Sequence, residues 1–181
     1  MGAASILPYK RERGRDSSRL IIIGNINGRG SPALLCTIED DGESEILRLP
    51  GGRAHNGEKP IQCAHRERIE ETDLRLDDLD TELHESSVRK GDSYDVHIFY
   101  CGMAKKISLR NLEPEDDKIL ALRWIKLEEL FEKGFKYRSS DGLKLQKTHF
   151  KHLRELKKNH PNYLQDLKSW ISVQKKAKSA S

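Results

Sequence analysis

The sequence predicts an α+β fold, and the order of its patterns carries that expectation. Strand-like runs and turn signals fill the chain up to Gly52, the first clear helix pattern opens at Pro60, and helical spacing dominates the end. Strands gathered before any helix argue against a doubly wound sheet, in which strand and helix would alternate from the start.

Each element follows from its residues. Residues 1–18 are polar and basic and read as a mobile arm. Leu20 to Ile23 is an apolar run of strand length. Gly24 to Pro32 is a loop rich in turn residues, and no Gly-Lys-Ser/Thr closes it, so it does not cradle a nucleotide phosphate as a P-loop does. Ala33 to Ile38 forms the next strand, Asp40-Asp41-Gly42 a turn, and Ile46 to Leu49 a third strand that ends at Pro50-Gly51-Gly52. The helix from Pro60 runs to about Thr72, because proline suits a first helical position where its missing N–H has no partner. Asp73 marks the stop, since Asp tolerates the left-handed conformation better than most side chains. Leu74 to Lys90 is acidic and weakly patterned, and is expected to hold a strand and a loop. Tyr94 to Cys101 and Leu122 to Ile125 alternate as strands, and Glu128 to Glu132 forms a short helix. Leu145, His149, Leu153 and Leu156 recur at helical spacing, as do Tyr163, Leu164, Leu167, Trp170 and Ile171 behind Pro161. Tyr94, Phe99 and Trp124 are read as core aromatics of their strands. The expected organisation is an arm over 1–18, a main domain over 19–143, and a basic helical extension over 144–181, packed on the domain or trailing it.

Composition excludes several classes. No apolar run approaches the ~20 residues of a membrane span. Met1 to Leu7 lacks the apolar length of a secretory signal, and Ile6 stands where a myristoylation motif needs Ser or Thr. Cys36, Cys63 and Cys101 are an odd, widely spaced set, read as reduced thiols in a cytoplasmic protein rather than as a disulfide framework or zinc site. The formal net charge of +4 conceals an asymmetry: residues 144–181 carry +8 and residues 1–143 carry −4. Such a basic segment can attract RNA, or it can be the solvated face of a helix.

The informative stretch is Gly52 to Leu74. Glu67, Glu70 and Glu71 stand at i, i+3 and i+4, so their carboxylates share one face of the predicted helix. Like charges at that spacing repel, and the cluster lies in the last turn, where the helix dipole disfavours anions. A compensating cation would resolve both conflicts, and hard oxygen donors suit Mg²⁺ or Mn²⁺. The helix alone leaves open a solvated face neutralised by Arg66 and Arg68.

The flanking residues resemble the Nudix box, G-x5-E-x7-R-E-U-x-E-E-x-G-U with U aliphatic. Gly52, Glu58, Arg66, Glu67, Glu70, Glu71 and Leu74 match it; Arg68 replaces the aliphatic residue and Asp73 the glycine. Leu122 to Leu130 also resembles a late strand-and-helix segment of that family. The resemblance implies an α/β/α sandwich with a mixed central sheet and C-terminal helices. It further implies metal held by Glu67, Glu70, Glu71 and the Gly52 carbonyl, with Glu67 or Glu70 orienting or deprotonating the attacking water. Arg66 would fix a glutamate by charge-assisted hydrogen bonds, and Glu58 would hold the intervening loop. Arg53, His55, Glu115 and Asp116 are candidates for meeting substrate; the last two belong to the acidic segment Glu113, Glu115, Asp116 and Asp117, where the resemblance also implies an extra catalytic or metal-binding carboxylate and the residues alone leave open an ordinary charged loop.

The expected activity is metal-dependent cleavage of a phosphoanhydride bond in a nucleoside diphosphate linked to another moiety. Two alternatives stand beside it. One is hydrolysis of RNA 5′ ends, with Lys147, Lys151, Arg154, Lys157 and Lys158 gripping the backbone. The other is a nucleotide- or RNA-binding module that has lost turnover, a reading supported only by Arg68 and Asp73.

Overall fold

The computed structural model describes residues 14–25, 32–79, 81–102 and 108–161. Its strands are β1 (Ser17–Asn25), β2 (Pro32–Asp40), β3 (Glu45–Arg48), β4 (His84–Arg89), β5 (Val96–Gly102) and β6 (Ile119–Lys126). Its helices are α1 (Pro60–Thr72), α2 (Leu127–Lys133) and α3 (Lys147–Asn159). The expected second C-terminal helix, from Tyr163 to Ile171, lies outside the described residues.

The sheet is mixed, in the order β3-β2-β1-β5-β4, with β6 on the other edge of β2. β1 and β5 run parallel and the remaining pairs antiparallel. One edge of β2 is shared: its first residues pair with β1 and its last with β3, while β6 follows the opposite edge.

The run Leu20–Ile23 shows why the fold is a sandwich. All four side chains are fully buried, although alternate residues of a strand face opposite sides. Leu20 and Ile22 pack with Leu35, Ala64 of α1, Leu74 and Phe99. Ile21 and Ile23 pack with Leu34, Leu47, Ile98, and Phe150, Leu153 and Leu156 of α3. The sheet is therefore covered on both faces, by α1 on one and by α2 and α3 on the other. Cys36, Cys63 and Cys101 are buried.

Three local expectations need adjustment. Leu74–Lys90 holds a short 3-10 turn at Leu76–Asp78 before β4. β5 begins at Val96 rather than Tyr94, because Asp95 turns its buried carboxylate back to the Gly91 N–H and Lys90. Tyr94 consequently belongs to neither core cluster and stands half-buried at a cavity.

Candidate active site

The site is built where α1 meets the end of β3. Between β3 and α1, Pro50 to Gly52 runs alongside the start of β1: the Leu20 N–H donates to the Pro50 carbonyl at 2.8 Å and the Ser18 N–H to the Gly52 carbonyl at 2.9 Å. The two glycines are close to different neighbours. Gly51 has φ +133, and a Cβ there would fall on the Ser18 carbonyl oxygen. A Cβ at Gly52 would fall on the Glu67 carboxylate. The glycine pair thus lets a backbone segment lie against β1 and the helix glutamates together.

α1 begins at Pro60 and ends with Asp73 in the left-handed region, φ 53, its N–H bonded to the Ile69 carbonyl at 2.8 Å. The i, i+4 spacing brings Glu67 and Glu71 to the buried side, each 6% exposed. Glu71 accepts the Gly51 N–H at 2.6 Å. Glu70 is half-buried on the rim.

Arg66 joins the parts. Its Nη1 lies 2.8 Å from Glu67 and 2.7 Å from Glu70, its Nε bonds Glu58 at 3.0 Å, and its Nη2 donates to the Arg53 carbonyl at 3.0 Å. Glu58 in turn accepts the His55 N–H at 2.7 Å. One guanidinium therefore braces both glutamates and the loop leading into α1. The Arg66 bond holds the Glu58 carboxyl below the usual range.

The buried carboxylates lie in the opposite regime. Burial pushes Glu71 up to about 8, against the lowering effect of the Gly51 N–H. Burial also raises Glu67, against the pull of Arg66. Glu67 is paired with Arg66, whereas Glu71 has no cation in an ion pair with it among the described residues, which is the condition a bound cation would relieve. In the present conformation no cluster of three or more ligating side chains converges among the described residues. Arg66 bridges Glu67 and Glu70 instead, so a cation taking either carboxylate competes with that contact.

The other predicted residues are placed less centrally. Arg53 and His55 are exposed on the loop, with the Arg53 guanidinium 5.3 Å from the centre of the Tyr94 ring. The segment carrying Glu115 and Asp116 does reach α1, but through its backbone: both N–H groups donate to the Glu70 carbonyl, at 2.7 and 3.1 Å. The Asp116 carboxylate accepts the Lys118 N–H. Arg68 neither snorkels outward nor finds a full set of partners: it is 2% exposed, with Nε and Nη1 unbonded.

Sequence reasoning missed the buried His149 as anything beyond an apolar-stripe position. Its Nδ1 accepts the Leu49 N–H at 2.9 Å, fastening α3 to the strand end that α1 holds from the other side through Glu71. A histidine on an otherwise leucine stripe was the available signal; its partner lies 100 residues away in the chain.

A buried acidic helix face set against a glycine pair at a strand end defines a candidate cation-binding centre within an α/β/α sandwich. Residues 15–145 match the NUDIX domain, and the chain belongs to that family, whose hydrolases generally act on pyrophosphates. Among solved structures it is similar to the NUDIX domain of Shewanella oneidensis NrtR complexed with ADP ribose, at 11% identity and TM-score 0.60, over 86% of this chain and 94% of that one. It is also similar to a C. elegans Ap4A hydrolase, at 18% identity and TM-score 0.51, over 65% and 84% of the two chains. A MutT/nudix family protein from Enterococcus faecalis gives 13% identity and TM-score 0.53 over 66% of this chain, which spans only 46% of that protein. At these identities the likeness is one of fold. No curated protein sequence matches the chain.

Proposed function

We propose that the chain is a metal-dependent hydrolase cleaving the phosphoanhydride bond of a nucleoside diphosphate linked to another moiety. The observation that carries this reading is the Glu67–Glu71 pair buried against Gly51-Gly52, in which Arg66 pairs with Glu67 while burial holds the Glu71 carboxyl raised. The donor set fits a hard divalent cation: carboxylates of Glu67, Glu70 and Glu71, and the carbonyl of Gly52, suit Mg²⁺ or Mn²⁺. When bound, such a metal neutralises phosphate charge and acidifies water.

The chain's own residues supply position and proton transfer. Water attacks one phosphorus, the bond to the bridging oxygen breaks, and the departing phosphate keeps that electron pair. Glu67 or Glu70 accepts the proton of the attacking water. Arg66 keeps Glu67 and Glu70 in register with each other and with the Glu58-braced loop. Arg53 and His55 from that loop, and Glu115 and Asp116 whose backbone bonds the Glu70 carbonyl, are proposed to meet substrate. The nucleotide ligand of the NrtR domain and the activity named for the C. elegans relative support a nucleotide pyrophosphate as the substrate class.

The test is release of phosphate and nucleotide from nucleoside triphosphates, ADP-ribose, dinucleoside polyphosphates, nucleotide sugars and capped RNA, each with and without Mg²⁺ or Mn²⁺. Turnover is expected to require metal and to fall at least about 100-fold in Glu71→Gln. Metal-independent turnover, or full activity in that variant, rejects the assignment.

One observation favours RNA 5′ ends as the substrate: Lys147, Lys151, Arg154 and Lys158 are exposed at i, i+4, i+7 and i+11 on α3. An RNA substrate bound along that stripe would show affinity falling steeply with salt.

A further inference from the structure

The opposite side of the same strand end holds a cavity that the reading above does not use. It encloses about 530 Å³ between the start of β1, the β4–β5 turn and α3. Arg19, Arg48 and Arg89 line it from three strands, and His149 and His152 from α3.

Two buried polar atoms of its wall, Arg48 Nε and His152 Nδ1, have no hydrogen-bond partner. Among the described residues, neither Arg19 nor Arg89 forms an ion pair, and Arg19 spends one N–H on the Ser18 carbonyl at 3.3 Å. Arg48 is paired with Glu39 at 2.9 Å, yet its Nε is buried without a hydrogen bond. His152 is 3% exposed and its Nδ1 has no hydrogen-bond partner, the nearest carboxylate, Glu155, standing 3.7 Å away. His149 uses Nδ1 to accept the Leu49 N–H, so the neutral ring carries its proton on Nε2. Lys90 is neutralised by Asp95 at 2.8 Å, and Asp92 is the single carboxylate among the described lining residues. Buried donors without partners are costly in a protein and are normally satisfied. Converging guanidinium groups match the oxygens of a phosphate.

Position ties this cavity to the glutamates. Only the segment from Leu49 to Gly52 separates them: the Leu49 N–H points to His149 on the cavity side, and the Gly51 N–H to Glu71 on the other. Tyr94, also on the cavity wall, lies under the Arg53 guanidinium of the loop that Arg66 braces.

We infer that this cavity seats a phosphate group of the substrate beyond the anhydride that is cleaved, so that the moiety linked to the nucleoside diphosphate carries at least one further phosphate. This rests on the hydrolase reading above. It selects dinucleoside polyphosphates and similarly phosphate-rich substrates over ADP-ribose and nucleotide sugars, whose linked moiety offers the arginines no additional charge.

Two arms test it on the full chain. In the first, inorganic tripolyphosphate is titrated calorimetrically into metal-free protein. Saturable binding is expected, weakened at least tenfold in Arg89→Gln and further in Arg19→Gln/Arg89→Gln, but not in Arg110→Gln, an exposed control outside the cavity. Arg89 is itself exposed at the end of β4, so its single variant keeps the test meaningful should the double variant unfold. Absent binding, or equal weakening by the control, overturns the inference.

The second arm compares kcat/KM for a dinucleoside tetraphosphate with that for ADP-ribose. The ratio is expected to fall at least tenfold in Arg89→Gln. An unchanged ratio, with tripolyphosphate binding still sensitive to Arg89, assigns the cavity to a free anion and overturns its role in substrate choice. Silence on every substrate, with cavity binding intact, sinks the hydrolase reading while leaving the phosphate seat standing.

Discussion

Arg68 carries a permanent positive charge onto the buried side of α1, where burial lowers its pKa and its Nε and Nη1 find no acceptor. Unsatisfied buried donors of this kind cost about 1–3 kcal/mol, more when charged. Arg68→Leu restores the aliphatic character of the position and is expected to raise stability by about 1–3 kcal/mol, seen as a rise of several degrees in Tm. A fall in Tm would show that the guanidinium has a stabilising partner. Glu71 gives a prediction with a defined sign. Its folded pKa of about 8 lies above its ordinary value of 4.5, so the folded protein favours the protonated form. That contribution is complete below pH 4.5 and is lost as pH rises towards 8. Metal-free wild type should therefore lose Tm relative to Glu71→Gln across that window, and Mn²⁺ should reverse the loss at the alkaline end. Parallel pH profiles for the two proteins would contradict this.

The glycine pair separates two kinds of damage at the scale of the element. A methyl at Gly51 meets the backbone of β1, which cannot yield, whereas one at Gly52 meets the end of the Glu67 side chain, which can. Gly51→Ala should cost more than about 1 kcal/mol, read from the urea midpoint. Gly52→Ala should keep most of its stability while turnover drops at least about tenfold, because Glu67 is pushed aside. Equal stability losses would remove the distinction. These elements also show what a sequence discloses. Both ends of α1 were legible, because Pro60 and Asp73 act through their own backbones. β4 was legible only as a strand somewhere in a weak stretch: it is the sheet's edge, its residues His-Glu-Ser-Ser-Val-Arg are exposed or half-buried, and no apolar period develops. Arg66 was readable as a partner for a glutamate, but its simultaneous hold on Glu58, Glu67, Glu70 and the Arg53 carbonyl depends on a loop path that spacing does not encode. The Tyr94 cavity was invisible for the same reason, since its walls come from distant strands and α3.

For the whole molecule, the decisive arrangement is a sheet covered on both faces, with the candidate site at the start of β1 and the end of β3. His149 is buried and its pKa lies well below the ordinary 6.5, chiefly through burial. Its neutral form is favoured in the folded state, so its contribution is present above pH 6.5 and is lost as pH falls. His149→Phe should flatten the acid side of the stability profile. It should also cost about 1–3 kcal/mol by stranding the Leu49 N–H, and an unchanged acid limb would refute the assignment. The backbone from Leu49 to Gly51 is consequently a tether shared by helices on opposite faces of the sheet. Amide hydrogen exchange at Leu49 becomes a built-in gauge of events at Glu71. A cation that takes the Glu71 carboxylate from the Gly51 N–H is expected to change exchange at Leu49, two residues along the same backbone and bonded to the opposite helix.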